Sequence, residues 1–280
     1  MTDSPSPILS ASGVTYGFAR RPDFLQPVDL DIGARQCWGI IGPNGAGKST
    51  LLRLLAGLLT PASGTMRLEG APFREVPTRQ RARRIAFLPQ NMPGDLPSTA
   101  REIVLMGRFP HRRFGLFESA EDMRIADRAL AAMGATAFAD RPMSTLSGGE
   151  AQRVHIAAII AQEPAVLLLD EPTASLDLYH QLSIFTLLGD LTARSGVAVV
   201  VVTHDVNLAA RFCSRVLLLD DGRPVAKGAP AEVLRPEVLQ TAYDVELTTI
   251  ASGLTPCPWI VPLRARPHGG GQSGDRRGEP

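Results

Sequence analysis

The chain has 280 residues, of which 44% are hydrophobic and 20% are charged, values that are ordinary for a soluble globular protein. The 29 basic residues nearly balance the 28 acidic ones, and this net charge of +1 excludes a protein that binds nucleic acid through overall positive charge. The length is sufficient for one large domain or two smaller ones with ample core.

The cysteines and the apolar runs exclude further classes. Cys37, Cys213 and Cys257 lie far apart and form no CxxC pair, which argues against a metal knuckle and against a secreted disulfide framework. The start MTDSPSPILS lacks the basic patch and apolar run of a signal peptide. The run GVAVVVV is far shorter than the ~20 residues of a membrane span. We therefore expect a cytosolic protein whose membrane role would come through a partner.

The first third of the chain predicts short strands and one apolar helix. Residues 14–18 and 27–33 have the pattern of strands at a sheet edge, and residues 37–42 that of a buried strand. The leucine-rich run at 51–59 predicts a helix that is buried nearly all round and ends at Thr60 and Pro61.

The middle of the chain, from residue 97 to residue 146, changes to a helical pattern. Thr99 is followed by Glu102, and Ser119 by Asp122, at the spacing of the capping box that opens a helix. The second of these helices is predicted to end before Gly134.

Helices and apolar strands alternate after this middle part. Helices are predicted at 150–162 and about 179–192, and strands at 165–169 and 197–202. Strands this apolar, separated by helices, indicate a parallel sheet that is covered on both faces. The glycine-rich polar end of the chain is expected to be disordered.

The stretch GPNGAGKST has the pattern G-x-x-x-x-G-K-[ST] of a phosphate-binding loop. Its glycines let the backbone wrap a phosphate, so that amide groups and the N-terminus of the next helix face it. Lys48 is predicted to neutralise the β and γ phosphates, and the Ser49 hydroxyl to ligate Mg²⁺. The predicted nucleotide-binding residues of this loop are Gly42, Pro43, Asn44, Gly45, Ala46, Gly47, Lys48, Ser49 and Thr50.

Two acidic residues follow the apolar strand in AVLLLDEPT. A parallel strand ends at the same sheet edge as the phosphate loop, so Asp170 is predicted to bind Mg²⁺ through water. Glu171 is then free to orient or deprotonate the attacking water. Such an acidic pair taken alone is more often a solvated strand end, but the phosphate loop beside it favours catalysis.

Three further residues are weaker candidates. His204 follows the strand VVVVT and could hydrogen-bond the γ-phosphate as a neutral imidazole, although a lone histidine usually has no special role. Gln90 is either an ordinary loop glutamine or a side chain that reaches Mg²⁺ or the attacking water. Tyr16, which precedes Lys48 by 32 residues, either stacks on adenine or is a core tyrosine.

A second glycine turn, TLSGGEAQRV, has no lysine. A capping box explains Ser147 and Glu150, but it does not explain Gly148 and Gly149, which cost about 1 kcal/mol each relative to alanine in a helix. Two glycines in a row leave the backbone without side chains, which indicates that another group approaches it closely. A helix N-terminus with a serine hydroxyl attracts an anion, and without a lysine or magnesium ligand the site is incomplete.

Six motifs in order and spacing carry a resemblance: GPNGAGKST, LPQ with Gln90, LSGGE, LLLDEP, SLD at 175–177 and VVTHD. Over residues 8–262 the chain resembles the ATP-binding subunit of an ABC transporter. The resemblance implies ATP and Mg²⁺ as cofactors, and a homodimer that holds two ATP molecules head to tail. Ser147, Gly148, Gly149 and Glu150 then cap the nucleotide of the other copy, and Asp177 lies across the dimer interface.

The resemblance also implies a fold and a branch of the family. The fold is α/β, a P-loop NTPase core with a mainly parallel sheet, an N-terminal antiparallel β subdomain and an inserted α-helical subdomain at roughly 95–160. This domain would cover residues 1–262, with a disordered polar tail at 263–280. Glu150 replaces the usual glutamine, as often occurs in the branch that imports iron siderophores, haem or cobalamin. The stretches at 107–113, 176–181, 204–234 and 239–247 also resemble that branch.

By the same resemblance, the subunit lies on the cytoplasmic face of the inner membrane as a peripheral protein. It would contact two permease subunits and, through them, a solute-binding protein, with the coupling helix received at 96–113 and no nucleic acid bound. Three alternatives leave features unexplained. A non-transport ABC ATPase usually has two nucleotide domains or a coiled coil, a P-loop kinase or GTPase lacks LSGGE, and an exporter often fuses a membrane domain.

Overall fold

The computed structural model describes residues 6–92, 97–112, 118–174, 176–251 and 258–265. Ser175 of the SLD motif and residues 266–280 of the predicted disordered tail lie outside these residues. Residues 263–265, which the prediction placed in that tail, instead form the end of a strand. The strands are β1 (Leu9–Phe18), β2 (Arg21–Ile32), β3 (Cys37–Ile41), β4 (Ser63–Leu68), β5 (Ala71–Pro72), β6 (Ile85–Leu88), β7 (Val166–Asp170), β8 (Ala198–Val202), β9 (Arg215–Asp220), β10 (Arg223–Gly228), β11 (Val245–Ile250) and β12 (Trp259–Ala265).

The helices connect the strands and cover the largest sheet. Among the described residues none of them is both long and apolar enough to cross a membrane. The α-helices are α1 (Lys48–Leu55), α2 (Thr78–Arg84), α3 (Ala100–Met106), α4 (Ala120–Ala132), α5 (Gly148–Ala161), α6 (Leu178–Ser195), α7 (Val206–Phe212), α8 (Pro230–Val233) and α9 (Pro236–Leu239). Short 3₁₀ helices lie at Phe109–His111, Thr136–Phe138 and Met143–Thr145.

The strands form three sheets. The first is antiparallel, with the order β2-β1-β4-β5. The second has the order β10-β9-β3-β8-β7-β6, and every pair in it is parallel except β9 with β10. The third is the antiparallel pair β11-β12. Helices α3, α4 and α5 lie between β6 and β7, so the α/β fold has the mainly parallel sheet, antiparallel β subdomain and helical insert that the sequence predicts.

The core has two layers, one on each face of the six-stranded sheet. Along β7, Leu167 and Leu169 belong to the layer that contains α3 to α7, whereas Val166 and Leu168 belong to the layer that contains α1 and the first sheet. The period of two along the strand therefore places apolar side chains on both faces. All four side chains are fully buried or nearly so, which explains why the predicted parallel strands are apolar throughout.

Three capping boxes open the helices of the insert. The side chains of Thr99, Ser119 and Ser147 each accept a hydrogen bond from the backbone of the residue three positions later. The carboxylate of that later residue accepts the backbone N–H of the capping residue in return. The predicted starts of the first two helices are thus confirmed, since the signal is local to four residues, whereas α5 begins two residues before the predicted position 150.

The leucine-rich helix is shorter than predicted. Helix α1 ends at Leu55 rather than at Thr60, and Leu58 is 61% exposed rather than buried. Gly57 has a φ of 72°, a left-handed conformation that continues no helix. A Cβ there would lie 2.6 Å from Cε1 of Phe73, so the close approach of Phe73 also requires glycine at this position.

Candidate active site

The phosphate-binding loop lies between the carboxyl end of β3 and the start of α1. Gly42 has a φ of 148°, and a Cβ at this position would lie 2.0 Å from the carbonyl oxygen of Leu219. Gly47, with a φ of 93°, caps α1 without a side-chain hydrogen bond. The first amides of α1 are therefore not satisfied by a capping side chain, and they form a site for an anion.

Lys48 is buried within this loop. Its Nζ donates to the carbonyl oxygens of Gly42 and Pro43 at 2.8 Å each. Burial lowers the pKa of Lys48, while the charges of Glu171 and Asp170 act to raise it. An ammonium has three donors, so one donor remains for a phosphate oxygen after the two carbonyls are satisfied.

Asp170 and Ser49 meet beside the loop. The Ser49 Oγ donates to Oδ1 of Asp170 at 2.9 Å, and Asp170 is only 1% exposed. Burial raises the pKa of Asp170, while the Ser49 hydrogen bond acts to lower it. Its Oδ2 is buried without a hydrogen-bond partner among the described residues. An unsatisfied carboxylate oxygen beside a hydroxyl fits Mg²⁺, which takes one or two carboxylates together with substrate phosphates.

Two of the three candidate catalytic residues, Gln90 and His204, approach one carboxylate oxygen of the third, Glu171. Gln90 Nε2 donates to Oε2 of Glu171 at 2.9 Å, and His204 Nδ1 lies 3.9 Å from the same oxygen. Glu171 has a φ of 47°, a left-handed conformation that is strained for a residue with a Cβ. Its backbone N–H donates to the carbonyl oxygen of Val202 at 3.1 Å, so the end of β8 helps to hold this geometry.

A cleft of about 640 Å³ brings these groups together. The six residues Asn44–Ser49 form its floor with Thr50, and Gln90, Glu171 and His204 form one wall. The buried lysine is close enough to Asp170 for the charge of each group to act on the pKa of the other. This arrangement can bind a polyphosphate and hold a carboxylate beside it.

The aromatic residue at the cleft is Phe24, which the sequence did not point to. Tyr16 is not among the described residues that line the cleft. Its ring packs edge-on against Phe18 with centroids 5.1 Å apart, and Phe18 packs in the same way against Phe24 at 4.9 Å. The pairing of β1 with β2 joins the three rings, and no local pattern at position 24 indicates it.

The second glycine turn lies outside this cleft. Ser147, Gly148, Gly149 and Glu150 are all described, and none of them lines it. The backbone N–H and the Oγ of Ser147 donate to Oε2 of Glu150 at 2.8 Å and 2.9 Å, and these two bonds lower the pKa of Glu150. A Cβ on Gly149 would lie 3.6 Å from Cδ2 of Leu176, so the turn is next to the segment that carries Asp177.

Asp177 caps helix α6. Its Oδ1 accepts hydrogen bonds from the backbone N of His180 at 2.9 Å and is 2.8 Å from His180 Nδ1. These bonds lower the pKa of Asp177. The structure thus brings together Asp177 and the Ser147–Glu150 turn, the two features that the sequence assigned to a dimer interface, and keeps both away from the cleft.

The phosphate loop follows β3 and opens α1. In the sheet, β8 lies beside β3 and is followed by His204, and β7 lies beside β8 and ends at the acidic pair. These features define an ATPase of the P-loop class. The family model described as ABC transporter matches residues 25–174, more than half of the chain. The chain belongs to the ABC transporter family, as an ATP-binding subunit that hydrolyses ATP.

Similar proteins agree with this assignment. The chain is 42% identical to the hemin import ATP-binding protein HmuV of Gloeobacter violaceus, over 91% of this chain and 94% of that protein. It is 42% identical to the ferric enterobactin transport ATP-binding protein FepC of Escherichia coli, over 80% and 83%. The dimeric structure of the bacterial ABC transporter cassette MJ0796 superposes with a TM-score of 0.70 at 32% identity, over 79% of this chain and 98% of that chain.

Proposed function

We propose that this chain is the ATPase subunit of an importer for an iron siderophore, haem or cobalamin, and that ATP closes a head-to-tail dimer of it. The observation that carries the proposal is a complete phosphate site in the cleft together with a serine-glycine turn that lies outside it. The names of the relatives HmuV and FepC support the solute class. The solute itself would contact the permease and the binding protein rather than this chain.

Binding of ATP is assigned to the loop and to Lys48. The amides at the start of α1 would face the phosphates, and Lys48 would add the donor that its two carbonyl contacts leave available. Ser49 and Asp170 are the residues proposed to hold Mg²⁺, with Gln90 as a further contact. The ion would supply positive charge next to the β and γ phosphates.

Hydrolysis is assigned to the three residues that meet at Glu171 Oε2. Glu171 would orient and deprotonate the attacking water, because a carboxylate beside the phosphate site is a suitable general base. Gln90 orients this carboxylate through its amide, and it would respond to the γ-phosphate from the same position. His204, whose Nδ1 lies 3.9 Å from Glu171 Oε2, would hydrogen-bond the γ-phosphate.

The dimer is proposed because the capping box of α5 explains Ser147 and Glu150 but leaves the glycine at 148 unexplained. A Cβ on Gly148 would meet no described atom within 4 Å, and Gly148 does not have a positive φ, so neither packing nor backbone conformation requires glycine there. Close approach of a nucleotide from a second copy explains the bare backbone. Asp177 is exposed beside this turn, where the second copy would lie.

The permease is proposed to dock near the end of α3. Met106 and Phe109 are 57% and 73% exposed there, which provides an apolar surface for a coupling helix. Arg79 and Arg83 hold this surface, since the Nε of each donates to the carbonyl oxygen of Pro110 at 2.9 Å. The predicted docking segment extends to residues 96 and 113, which lie outside the described residues. This docking would place the subunit on the cytoplasmic face of the inner membrane.

The test is to tag the chain in its native host, solubilise membranes in mild detergent and identify what co-purifies. A polytopic permease that raises the ATPase rate of the subunit is expected. Uptake of labelled haem, ferric siderophore and cobalamin by a strain that lacks the subunit then identifies the solute. Recovery of ribosomes or nucleic acid without a membrane protein would contradict the proposal.

A further inference from the structure

One asparagine joins the helix that follows His204 to the C-terminal strand pair, defined here as β11 and β12. Asn207 lies in the first turn of α7. Its Nδ2 donates to the carbonyl oxygen of Ile260 at 3.1 Å, and its Oδ1 accepts from the backbone N of Ile260 at 2.8 Å. A side-chain amide offers a donor and an acceptor together, so leucine or aspartate at this position would lose at least one of the two bonds.

Local hydrogen bonds link Asn207 tightly to the segment that carries His204. The backbone N of Asp205 donates to Oγ1 of Thr203 at 3.1 Å. Oδ1 of Asp205 accepts from the backbone N of Asn207 at 2.8 Å and from that of Leu208 at 2.9 Å. A displacement of β12 would therefore move the start of α7, two residues after His204.

His204 also forms a wall common to two cavities. One is the nucleotide cleft, where Nδ1 of His204 faces Glu171. The other is a cavity of about 340 Å³ between the start of α7 and the C-terminal strand pair. The second cavity is lined mainly by apolar side chains, among them Val206, Tyr243, Leu247, Ile260 and Pro262. The imidazole thus borders a space that the strand pair also lines.

The same C-terminal region lies close to the phosphate loop. Tyr243, which lines the second cavity, has a buried hydroxyl that forms no hydrogen bond of normal geometry among the described residues. Burial raises the pKa of Tyr243 to about 12, while the backbone N–H of Gly42 acts to lower it and the charge of Asp220 to raise it. The region around the strand pair is therefore adjacent to the phosphate loop at Gly42 and to His204.

From these contacts we propose that the C-terminal strand pair, through Asn207, positions His204 for ATP hydrolysis. The inference rests on the role of His204 in the proposed function. Asn207 is a positioning residue, because it acts through His204 and lines only the second cavity. Loss of its two bonds leaves the N–H and C=O of Ile260 unpaired and releases α7 from β12, and a 1 Å misplacement of a catalytic group can lower a rate by about 10²-fold.

Asn207→Leu keeps the shape of the side chain and removes both hydrogen bonds. We expect kcat to fall at least about tenfold with KM for ATP within about twofold, and Asn207→Gln to restore part of the rate. Glu246→Gln is the control, since it breaks the Glu246–Arg264 ion pair on the same strands but away from α7. It should leave kcat unchanged.

A double variant separates positioning from general damage. If Asn207 acts only through His204, Asn207→Leu should change the single-turnover rate of His204→Ala by less than about twofold. An equal loss on both backgrounds, or a normal kcat for Asn207→Leu, would overturn the inference. The imidazole NMR signal of His204, assigned with His204→Ala, should move in Asn207→Leu and Asn207→Gln but not in Glu246→Gln.

The NMR measurement also separates this inference from the proposed function. If His204→Ala hydrolyses ATP at the wild-type rate, the catalytic role of His204 is wrong. An imidazole signal that does not respond to either Asn207 variant shows instead that the strand pair does not position His204. Both Asn207 variants keep an uncharged side chain, so a change in the signal cannot arise from a new charge beside the ring.

Discussion

The side-chain amide of Gln90 donates to Oε2 of Glu171 at 2.9 Å, although the two residues are 81 positions apart in the chain. His204 approaches the same oxygen, so one carboxylate is held by two neighbours from different loops. Among the described residues neither neighbour forms a hydrogen bond with the phosphate loop, so we expect both to act after nucleotide binding.

Gln90→Ala and His204→Ala should therefore lower kcat at least about tenfold, because each orients groups at the γ-phosphate, while the Kd for ATP stays within about threefold. Phosphate release and direct binding of a fluorescent ATP analogue measure the two quantities. Equal losses in both would indicate a folding defect, which the thermal unfolding curves of the two variants would reveal.

Glu171→Gln should bind ATP normally and hydrolyse it at least about 10²-fold more slowly, since an amide cannot accept the proton of the attacking water. ATP should then trap a stable dimer, which gel filtration with ATP and Mg²⁺ detects. Glu69→Gln is the control because Glu69 also has a left-handed backbone but pairs with Arg84 at the surface. A Glu171→Gln chain that stays monomeric and turns over ATP normally would refute the assignment.

Lys48→Ala should weaken ATP binding by about 10- to 100-fold, the value of one lost charge-assisted hydrogen bond to a phosphate. Isothermal titration calorimetry with ATP measures the change. The chain offers a matched control, since its only other lysine, Lys227, is exposed and donates to the carbonyl oxygen of Asp29. Lys227→Ala should bind ATP as the wild type does. Near-normal affinity in Lys48→Ala would contradict the phosphate-loop assignment.

Ser147→Arg should block the nucleotide site of the other copy and leave the phosphate loop of its own chain intact. Each site of the proposed dimer takes Lys48 from one copy and Ser147 from the other. In a mixed dimer of Ser147→Arg with Lys48→Ala, one site therefore contains both substitutions, and the other has the native Lys48 and the native Ser147. That second site should close over ATP, although neither variant closes alone.

The measurement for this mixture is ATP-dependent crosslinking between differently tagged copies, with Glu171→Gln added to both to prevent reopening. The wild-type pair carrying Glu171→Gln gives the upper reference, and each variant alone gives the background. A mixture that remains at background would mean that the turn serves its own chain, and the head-to-tail arrangement would be wrong.

His155 makes the stability depend on pH. It is buried in α5 with an unpaired Nδ1 among the described residues, and burial lowers its pKa from 6.5. The unfolded chain then binds the proton more readily than the folded one. The contribution of His155 to the free energy of unfolding is therefore fully present above pH 6.5 and is lost as the pH falls below that value. Urea unfolding at pH 7.5 and 5.5 should show a smaller difference for His155→Leu than for the wild type. An unchanged difference would exclude His155 as its cause.

Features that depend on a few consecutive residues could be predicted from the sequence. The capping boxes at Thr99, Ser119 and Ser147 and the glycine geometry of the phosphate loop are of this kind, because their donors and acceptors lie within a few positions. The parallel sheet also follows from the apolar strands, since only strands covered on both faces are apolar throughout.

Features that depend on tertiary contact could not be predicted. The place of Phe24 in the cleft follows from its packing against Phe18 across a hairpin, and the bonds of Asn207 are to a strand 53 residues away. The end of α1 at Leu55 depends on Gly57 and its neighbour Phe73. The left-handed backbone of Glu171 is held by the end of β8, and no residue preference indicates it.

If the Ser147–Glu150 turn completes the site of a second copy, as proposed, its position outside the cleft of its own chain has a kinetic consequence. A catalytic centre assembled from two copies exists only where two chains meet. For dilute subunits the rate of phosphate release should then rise with the square of the subunit concentration rather than in proportion to it. A permease that holds two copies side by side makes their encounter intramolecular and removes this dependence. Unassembled subunits would hydrolyse little ATP, and turnover would be confined to complete transporters.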